Sequence, residues 1–331
     1  MLKYRTAQRA TLRMIRGVDE LSIDEIRERY LDGGEPVSAR VLTRLQRDSR
    51  LGVRRLYASL KKRYERERAE KLRLEAMRHF EQLLWKSGVV DIAGVDEVGV
   101  GPLAGPVVAA AVVFPPQTSI FGVDDSKKLD PQTRTTLAVE IRAKASGIGV
   151  GMATVAEIDT INIYHAGLLA MRRAIEALPR RPQHVLVDAR TVPGVDMPQN
   201  PFNKGDGINF SIAAASIVAK TERDRMMEAL DREYPGYGFA SHKGYGTPEH
   251  REALLRLGPS SIHRMSFPVL HELRGEYSAL FYRLKGRLEA AASRDALDEV
   301  DGQLNTQPNG LAEQECKKLR LLLARRWKLM R

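Results

Sequence analysis

At Ser87-Gly88 a charged sequence patterned as helix gives way to Val89-Val90-Asp91-Ile92-Ala93-Gly94-Val95, a β-branched apolar run ending on two adjacent carboxylates, Asp96 and Glu97. β-branched residues fit a pleated, buried strand. Two anions at the end of such a strand are costly unless a cation, a proton or hydrogen bonds offset them. Hard divalent cations, magnesium or manganese, suit such oxygen donors. Gly99-Val100-Gly101 follows at once, and glycine lets backbone come close to whatever binds there. A plainer role is open to Asp96, because Asp near Gly commonly caps a turn.

A second strand at 106–114 follows the Gly-rich turn 99–105 closely enough to predict antiparallel pairing. Then come a helix from Pro131 to Ser146, a strand from Gly147 to Val155 and a helix from Tyr164 to Leu178. A strand from His184 to Asp188 and a helix from Phe210 to Glu233 complete the set. Meander strands followed by strand–helix alternation predict an α/β fold, a mixed sheet flanked by helices. Residues 234–275 read as helical and rich in Gly, His and Tyr. Asn305–Gly310 reads as a linker, and Leu311 to Met330 as a basic amphipathic helix. Four parts result: a basic helical extension (1–88), a core (89–233), a helical part of the same domain (234–285) and a helical tail (286–331).

The chain's 53 Lys+Arg against 42 Asp+Glu give a formal charge of +11, which favours a polyanionic partner. That charge is concentrated. Residues 1–39 hold seven of each sign, whereas 40–86 hold fifteen basic and six acidic. Residues 59–85 contain no Gly or Pro and read as one helix with a broken apolar stripe. Arg63-Tyr64-Glu65-Arg66-Glu67-Arg68 also suits i,i+4 pairing on a solvated face, so nucleic-acid binding and plain solvation both stay open. Upstream, Ser22 and Glu25 form a capping box for a short helix ending at Asp32-Gly33-Gly34. Lys3, Arg5, Arg9, Arg13 and Arg16 loosely resemble a transit peptide, an ordinary basic helix being the simpler reading. A single cysteine, Cys316, excludes an intramolecular disulfide framework and a cysteine-rich zinc site. The densest apolar stretch, Pro102 to Phe114, is too short to span a bilayer; no membrane association and a cytoplasmic location are expected.

Further candidates lie downstream. The apolar strand His184–Asp188 ends in a carboxylate, and ligands gather at the carboxyl ends of strands in α/β sheets. Ser216, Lys220 and Asp224 stand four apart on one helix face, where a Lys–Asp surface pair is the plain alternative. Lys204-Gly205-Asp206-Gly207 is a polar turn with one cation. His242-Lys243-Gly244-Tyr245-Gly246-Thr247 offers a cation, an imidazole and a ring that can stack on a sugar or base, before a helix capped by Thr247. No Walker loop, His-Glu-x-x-His, Gly-x-Ser-x-Gly or dinucleotide fingerprint is present.

Taken in order, these segments resemble bacterial ribonuclease HII. The matching pieces are Ile92-Ala-Gly-Val-Asp-Glu-Val-Gly-Val-Gly-Pro-Leu-Ala-Gly-Pro-Val107, Asp125-Ser-Lys-Lys-Leu129, Val185-Leu-Val-Asp188 and Lys204-Gly-Asp206. Ser211-Ile-Ala-Ala-Ala-Ser-Ile-Val-Ala-Lys220 with Arg223-Asp224, Tyr234-Pro235, His242-Lys-Gly-Tyr-Gly-Thr247 and Ile262-His-Arg-Met-Ser-Phe267 follow. The resemblance implies an RNase H-like fold over about 89–275. It implies cleavage of RNA in RNA–DNA hybrids and 5′ of ribonucleotides embedded in duplex DNA, by two-metal-ion hydrolysis with Mg2+ or Mn2+. Asp96, Glu97 and Asp188 would be metal ligands and Asp224 the fourth active-site carboxylate. The Gly99–Gly101 turn would touch the 2′-hydroxyl, which alone separates RNA from DNA, and Tyr245 would pack on the next deoxyribose. Lys127, Lys204, Ser216, Lys220 and His242 match family positions around the nucleic acid. A monomer is expected. The alternatives are a hybrid ribonuclease needing several consecutive ribonucleotides, and a non-catalytic nucleic-acid-binding protein built around residues 40–86.

One departure stands out: the family's Gly-Arg-Gly turn is Gly99-Val100-Gly101 here. The glycine backbone contacts can survive, but a cation near the junction phosphate is lost. Val100→Arg should therefore raise cleavage of a duplex with one embedded ribonucleotide, assayed in Mg2+. An unchanged rate would show that the cation is dispensable in this chain.

Overall fold

The computed structural model describes residues 17–306 and 310–329. The basic residues up to Arg16, Met330 and the middle of the expected linker lie outside the described residues. Thirteen α-helices and five strands are described. α1 (Ile23–Arg27), α2 (Ala39–Arg47), α3 (Leu51–Met77) and α4 (His79–Lys86) precede β1 (Ile92–Val98) and β2 (Val107–Val113). α5 (Pro131–Lys144), β3 (Gly147–Ala153), α6 (Val155–Glu176), β4 (His184–Asp188), β5 (Gln199–Phe202) and α7 (Phe210–Glu233) follow. α8 (Phe239–His242), α9 (Pro248–Leu257), α10 (Pro268–Leu273), α11 (Ala279–Ala290), α12 (Arg294–Thr306) and α13 (Glu313–Leu329) complete the chain.

The strands form one sheet in the order β3-β2-β1-β4-β5. β1 and β2, and β2 and β3, are antiparallel; β1 and β4, and β4 and β5, are parallel. This is the mixed sheet flanked by helices that the residue pattern predicts, with helical extensions at both ends. α7 covers one face, packing Ala213, Ala214, Ile217 and Val218 against Ala110 and Val112. α6 covers the other, packing Ala166, Ala170 and Ala174 against Val95, Ala109 and Ala111. The small residues of α7 let it lie close. Gly94 shows how close: a Cβ there would come within 2.1 Å of the Ser211 backbone, so no other residue fits without moving the helix.

Several boundaries differ from the sequence expectation. The helix expected over 59–85 is two, α3 beginning at Leu51 and α4 following a break at Arg78. At the break Arg78 turns its side chain inward and donates to the Leu74 and Thr118 carbonyls. The helix expected from Tyr164 begins there, after a break at Asn162, whose φ is 66° and whose Oδ1 accepts from Tyr164 N and His165 N, but a further helical stretch from Val155, with a capping box from Thr154 and Glu157, precedes it within α6. β5 was not foreseen, since Gln199-Asn200-Pro201-Phe202 lacks the β-branched pattern.

The boundary at residue 88 is not where the packing divides. Val18 to Leu60 build a small core of their own, but Leu74 and Met77 belong to the core beneath the sheet. Arg73 donates to the Val123 carbonyl at 2.7 Å. Glu81 is buried at the start of α7, where its carboxylate accepts from Ser211 N and Oγ at 3.2 and 2.8 Å and from Asn209 Nδ2 at 3.0 Å. The end of the helical extension thus caps the longest helix of the core. α11–α13 close a separate cluster around Phe281, Leu288, Val300 and Leu319, tied to α10 by Lys318 and Lys285 on Glu272. Glu81→Ala would strand buried donors, and we expect a loss of about 2–4 kcal/mol in unfolding free energy. Denaturant unfolding checks this. A loss within about 0.5 kcal/mol, the range of ordinary surface substitutions, would mean the cap is not structural.

Candidate active site

The parallel pairing of β1 with β4 decides where the carboxylates meet. Val95 lies opposite Val187, so Asp96 and Asp188 stand one step further along, at the same edge of the sheet. Glu97 follows on the opposite face of β1, with its Cγ 4.0 Å from where a Cβ would stand on Gly167 of α6. Asp96, Glu97 and Asp188 each bring a carboxylate oxygen within 4.8 Å of the others. Among the described residues, none of the three forms an ion pair, and Glu97 Oε2 is buried with no hydrogen-bond partner.

What holds them is a set of neutral donors. Asp96, 4% exposed, accepts from Glu97 N at 2.8 Å and from the Ser216 hydroxyl. Ser216 in turn stands 2.9 Å from Ser126 Oγ. Asp188 accepts from Gly205 N at 2.7 Å. Burial and the charge of Glu97 hold the Asp96 carboxyl well above the usual range. Burial and the charge of Asp188 push Glu97 up to about 7, and burial raises Asp188 as well. Lys127 and Arg190 pull Glu97 back down without touching it. Three anions raised in this way, with one oxygen unpartnered, suit a divalent cation of hard oxygen preference.

Asp224 does not join this group. It is engaged by Lys220 Nζ at 2.5 Å and Arg134 Nη1 at 3.2 Å. Arg134 also donates to the Ser126 and Leu129 carbonyls, so Asp224 anchors the loop that carries Ser126 and Lys127. The carboxylate that sequence reasoning passed over is Asp206. It is 5% exposed, its charge raises both Asp96 and Asp188, and Lys127 Nζ lies 3.1 Å from it. The signal was present in Lys204-Gly205-Asp206. The helical spacing of Ser216, Lys220 and Asp224 drew attention instead, although it fixes only a shared face. Arg190, over the ring of Tyr164 at 4.4 Å, was also missed.

The remaining candidates separate into surface and support. Val100 and Tyr245 are exposed, at 40% and 42%. The Tyr245 ring lies 3.6 Å from where a Cβ of Gly101 would stand. Lys204 and Lys127 are exposed too. Ser216 is buried and Lys220 is committed to Asp224. His242, expected at the nucleic acid, instead spends both ring nitrogens on its own loop: Nδ1 accepts from Gly244 N and Nε2 donates to the Tyr237 carbonyl. Its ring stacks on His250, whose Nδ1 donates to the Tyr245 carbonyl at 2.9 Å. His250 Nε2 is 3.1 Å from His263 Nε2, and burial pushes both rings down to about 4.

Two fully buried arginines hold the glycine turn. Arg264 donates to the carbonyls of Gly99, Val100, Pro102 and Gly105. Arg223 donates to those of Ala104, Pro106 and Lys243. Gly99 has φ +93°, and a Cβ there would lie 2.3 Å from Arg223 Nε; only glycine permits both the turn and the clamp. Burial pushes Arg264 down to about 9, yet every donor is used.

The ribonuclease HII family model matches residues 93–269, and the ribonuclease HII N-terminal domain model matches residues 22–85. The ribonuclease HII of Myxococcus xanthus is 50% identical over 257 residues, covering 77% of this chain and 88% of that protein. The ribonuclease HII of Geobacillus thermodenitrificans is 50% identical over 234 residues, covering 71% and 90%. Among solved structures, the ribonuclease H2 of Pyrococcus horikoshii is 26% identical, with a TM-score of 0.47, and covers 56% of this chain and 98% of that one. With a family model spanning more than half of the chain, and relatives half identical over most of their length, the chain belongs to the ribonuclease HII family.

Proposed function

We propose that this chain is an endoribonuclease that hydrolyses the RNA strand of RNA–DNA hybrids and cuts 5′ of ribonucleotides embedded in duplex DNA. The observation that carries it is the trio Asp96, Glu97 and Asp188 within 4.8 Å, unpaired by any cation of the described chain. In this reading the trio holds Mg2+ or Mn2+, with Asp206 beside it. Ions held by Asp96, Glu97 and Asp188 would supply an acidified water and positive charge beside the departing oxygen. The protein's own groups do the rest. The Gly99–Gly101 backbone, fixed by Arg264 and Arg223, meets the 2′-hydroxyl, and the exposed ring of Tyr245 packs on the neighbouring sugar. Lys127 and Arg190 offer positive charge at the rim for phosphates. Asp224 acts at one remove, by positioning the 124–129 loop through Arg134. We take the working form to be a monomer in the cytoplasm. Val100 favours a second reading, a requirement for several consecutive ribonucleotides, which a comparison of single-ribonucleotide and hybrid substrates separates.

Asp188→Asn should lower cleavage in Mg2+ by at least about 100-fold, with duplex binding retained within about threefold. A rate unaffected by this change would remove the trio from the chemistry.

The raised carboxylates also set a pH dependence. A carboxyl whose folded-state pKa is raised stabilises the fold while protonated. That contribution is fully present below the unfolded value and is lost as pH rises through about 7 for Glu97. Divalent cations displace those protons. The gain in melting temperature from saturating Mg2+ over chelator should therefore be larger at about pH 8 than at about pH 5.5, by a few degrees. His250 and His263 shift stability in the opposite sense, and the difference between the two conditions cancels them. A gain independent of pH, or equal in Asp188→Asn, would contradict metal binding by the trio.

A further inference from the structure

α3 carries six exposed cations that form no salt bridge among the described residues, Arg54, Arg55, Lys62, Arg66, Arg68 and Lys71, and three of them, Arg55, Lys62 and Arg66, share one line along the helix. Lys61, Arg63 and Arg73 pair with Glu65, Glu67 and Glu70. Steps of seven and four residues keep Arg55, Lys62 and Arg66 within about 20° of that line. Ser59 and Ala69, on the same line, interpose no acid. Lys62 and Arg66, four apart, repel each other, which costs an isolated helix a few tenths of a kcal/mol and gains nothing within the fold.

The same line runs on to Arg73, eighteen residues from Arg55, or about five full turns. Arg73 shows where that side of the helix faces: it donates to the Val123 carbonyl at 2.7 Å and approaches Asp124 at 4.0 Å, while Glu70 accepts from Gly122 N. This loop continues to Lys127, whose ammonium reaches Asp206 beside the acidic trio. The line therefore leads from the rim of the site outward along about 27 Å of helix, a length matching roughly eight base pairs of duplex. Upstream the helix rests on the small core of residues 18–60 through Val53, Leu56 and Leu60, which makes it a rigid arm.

We propose that the Arg55–Lys62–Arg66 line binds the phosphate backbone of the substrate duplex, several base pairs from the cleaved bond and without regard to sequence. This rests on the duplex being the substrate, as proposed above. The full-length chain with Arg55→Gln, Lys62→Gln and Arg66→Gln tests it against a control carrying Arg54→Gln, Arg68→Gln and Lys71→Gln, which changes net charge equally on other faces. Binding to a duplex with one ribonucleotide is measured in chelator across salt concentrations, and KM in Mg2+. The line variant should bind at least about tenfold more weakly, with KM rising in parallel. Its slope of log K against log salt should shrink by about 2–3, near 0.9 for each phosphate no longer neutralised. The control should change the slope by less than about 1. The charge-preserving variant with Arg55→Lys, Lys62→Arg and Arg66→Lys should restore both. Equal effects in the line variant and the control, or no effect in either, would overturn the proposal, the latter leaving the line for some other partner. Absence of cleavage by the unaltered chain, with the salt-slope difference intact, would count against the proposed reaction and not against this surface.

Discussion

Three like charges delivered to one sheet edge govern how this molecule is built. The parallel register of β1 on β4 brings Asp96, Glu97 and Asp188 together, and their repulsion and burial must be offset by something. The protein offsets part of it with neutral donors: Ser216, the Glu97 amide and the Gly205 amide. It keeps its own cations one step back, Lys127 on Asp206 and Arg134 on Asp224. An internal ion pair to the trio would have cost less electrostatically and left no room for metal. The residual strain, with Glu97 pushed up to about 7, is what a divalent cation would relieve.

The glycine turn faces the opposite problem, holding a segment with almost no side chains. Arg264 and Arg223 hold it through backbone carbonyls alone, buried and without any carboxylate contact. A guanidinium suits this role because its fork of donors reaches several carbonyls at once. Because the clamp acts on main-chain carbonyls, it does not depend on the side chain at 100, where Val stands in place of the Arg that the sequence resemblance leads one to expect. The turn can therefore keep its geometry while losing a charge. Tyr245 is likewise held through its carbonyl, by His250, whose other ring nitrogen meets His263.

Much of this was legible in the sequence where local chemistry and pattern agree. β-branched runs ending in Asp marked β1 and β4, and the small-residue stretch Ser211–Ser216 marked a helix lying close on the sheet. The helix from Phe210 to Glu233 was placed to the residue. What could not be read depends on contacts distant in sequence. Glu81 looks like one more surface acid of a charged helix, and its burial 130 residues away on Ser211 has no local signature. His242 offers a plausible ligand nitrogen until its loop consumes both. That Asp224 lies on Lys220 and Arg134 while Asp206 lies nearer the trio was hidden for the same reason: helical spacing shows which side chains share a face, not which face meets the sheet edge. Arg223 and Arg264 stood in matching motifs, yet nothing in a sequence says that an arginine's partners are carbonyls.

The most direct measurement is the mapping of products from a duplex carrying a single ribonucleotide, incubated with the unaltered chain and Mg2+. One cut on the 5′ side of the ribonucleotide, leaving 3′-hydroxyl and 5′-phosphate ends and lost on chelation, is the expected result. No cut, or ends bearing a 2′,3′-cyclic phosphate formed by the 2′-hydroxyl itself, would contradict hydrolysis at the Asp96–Glu97–Asp188 trio.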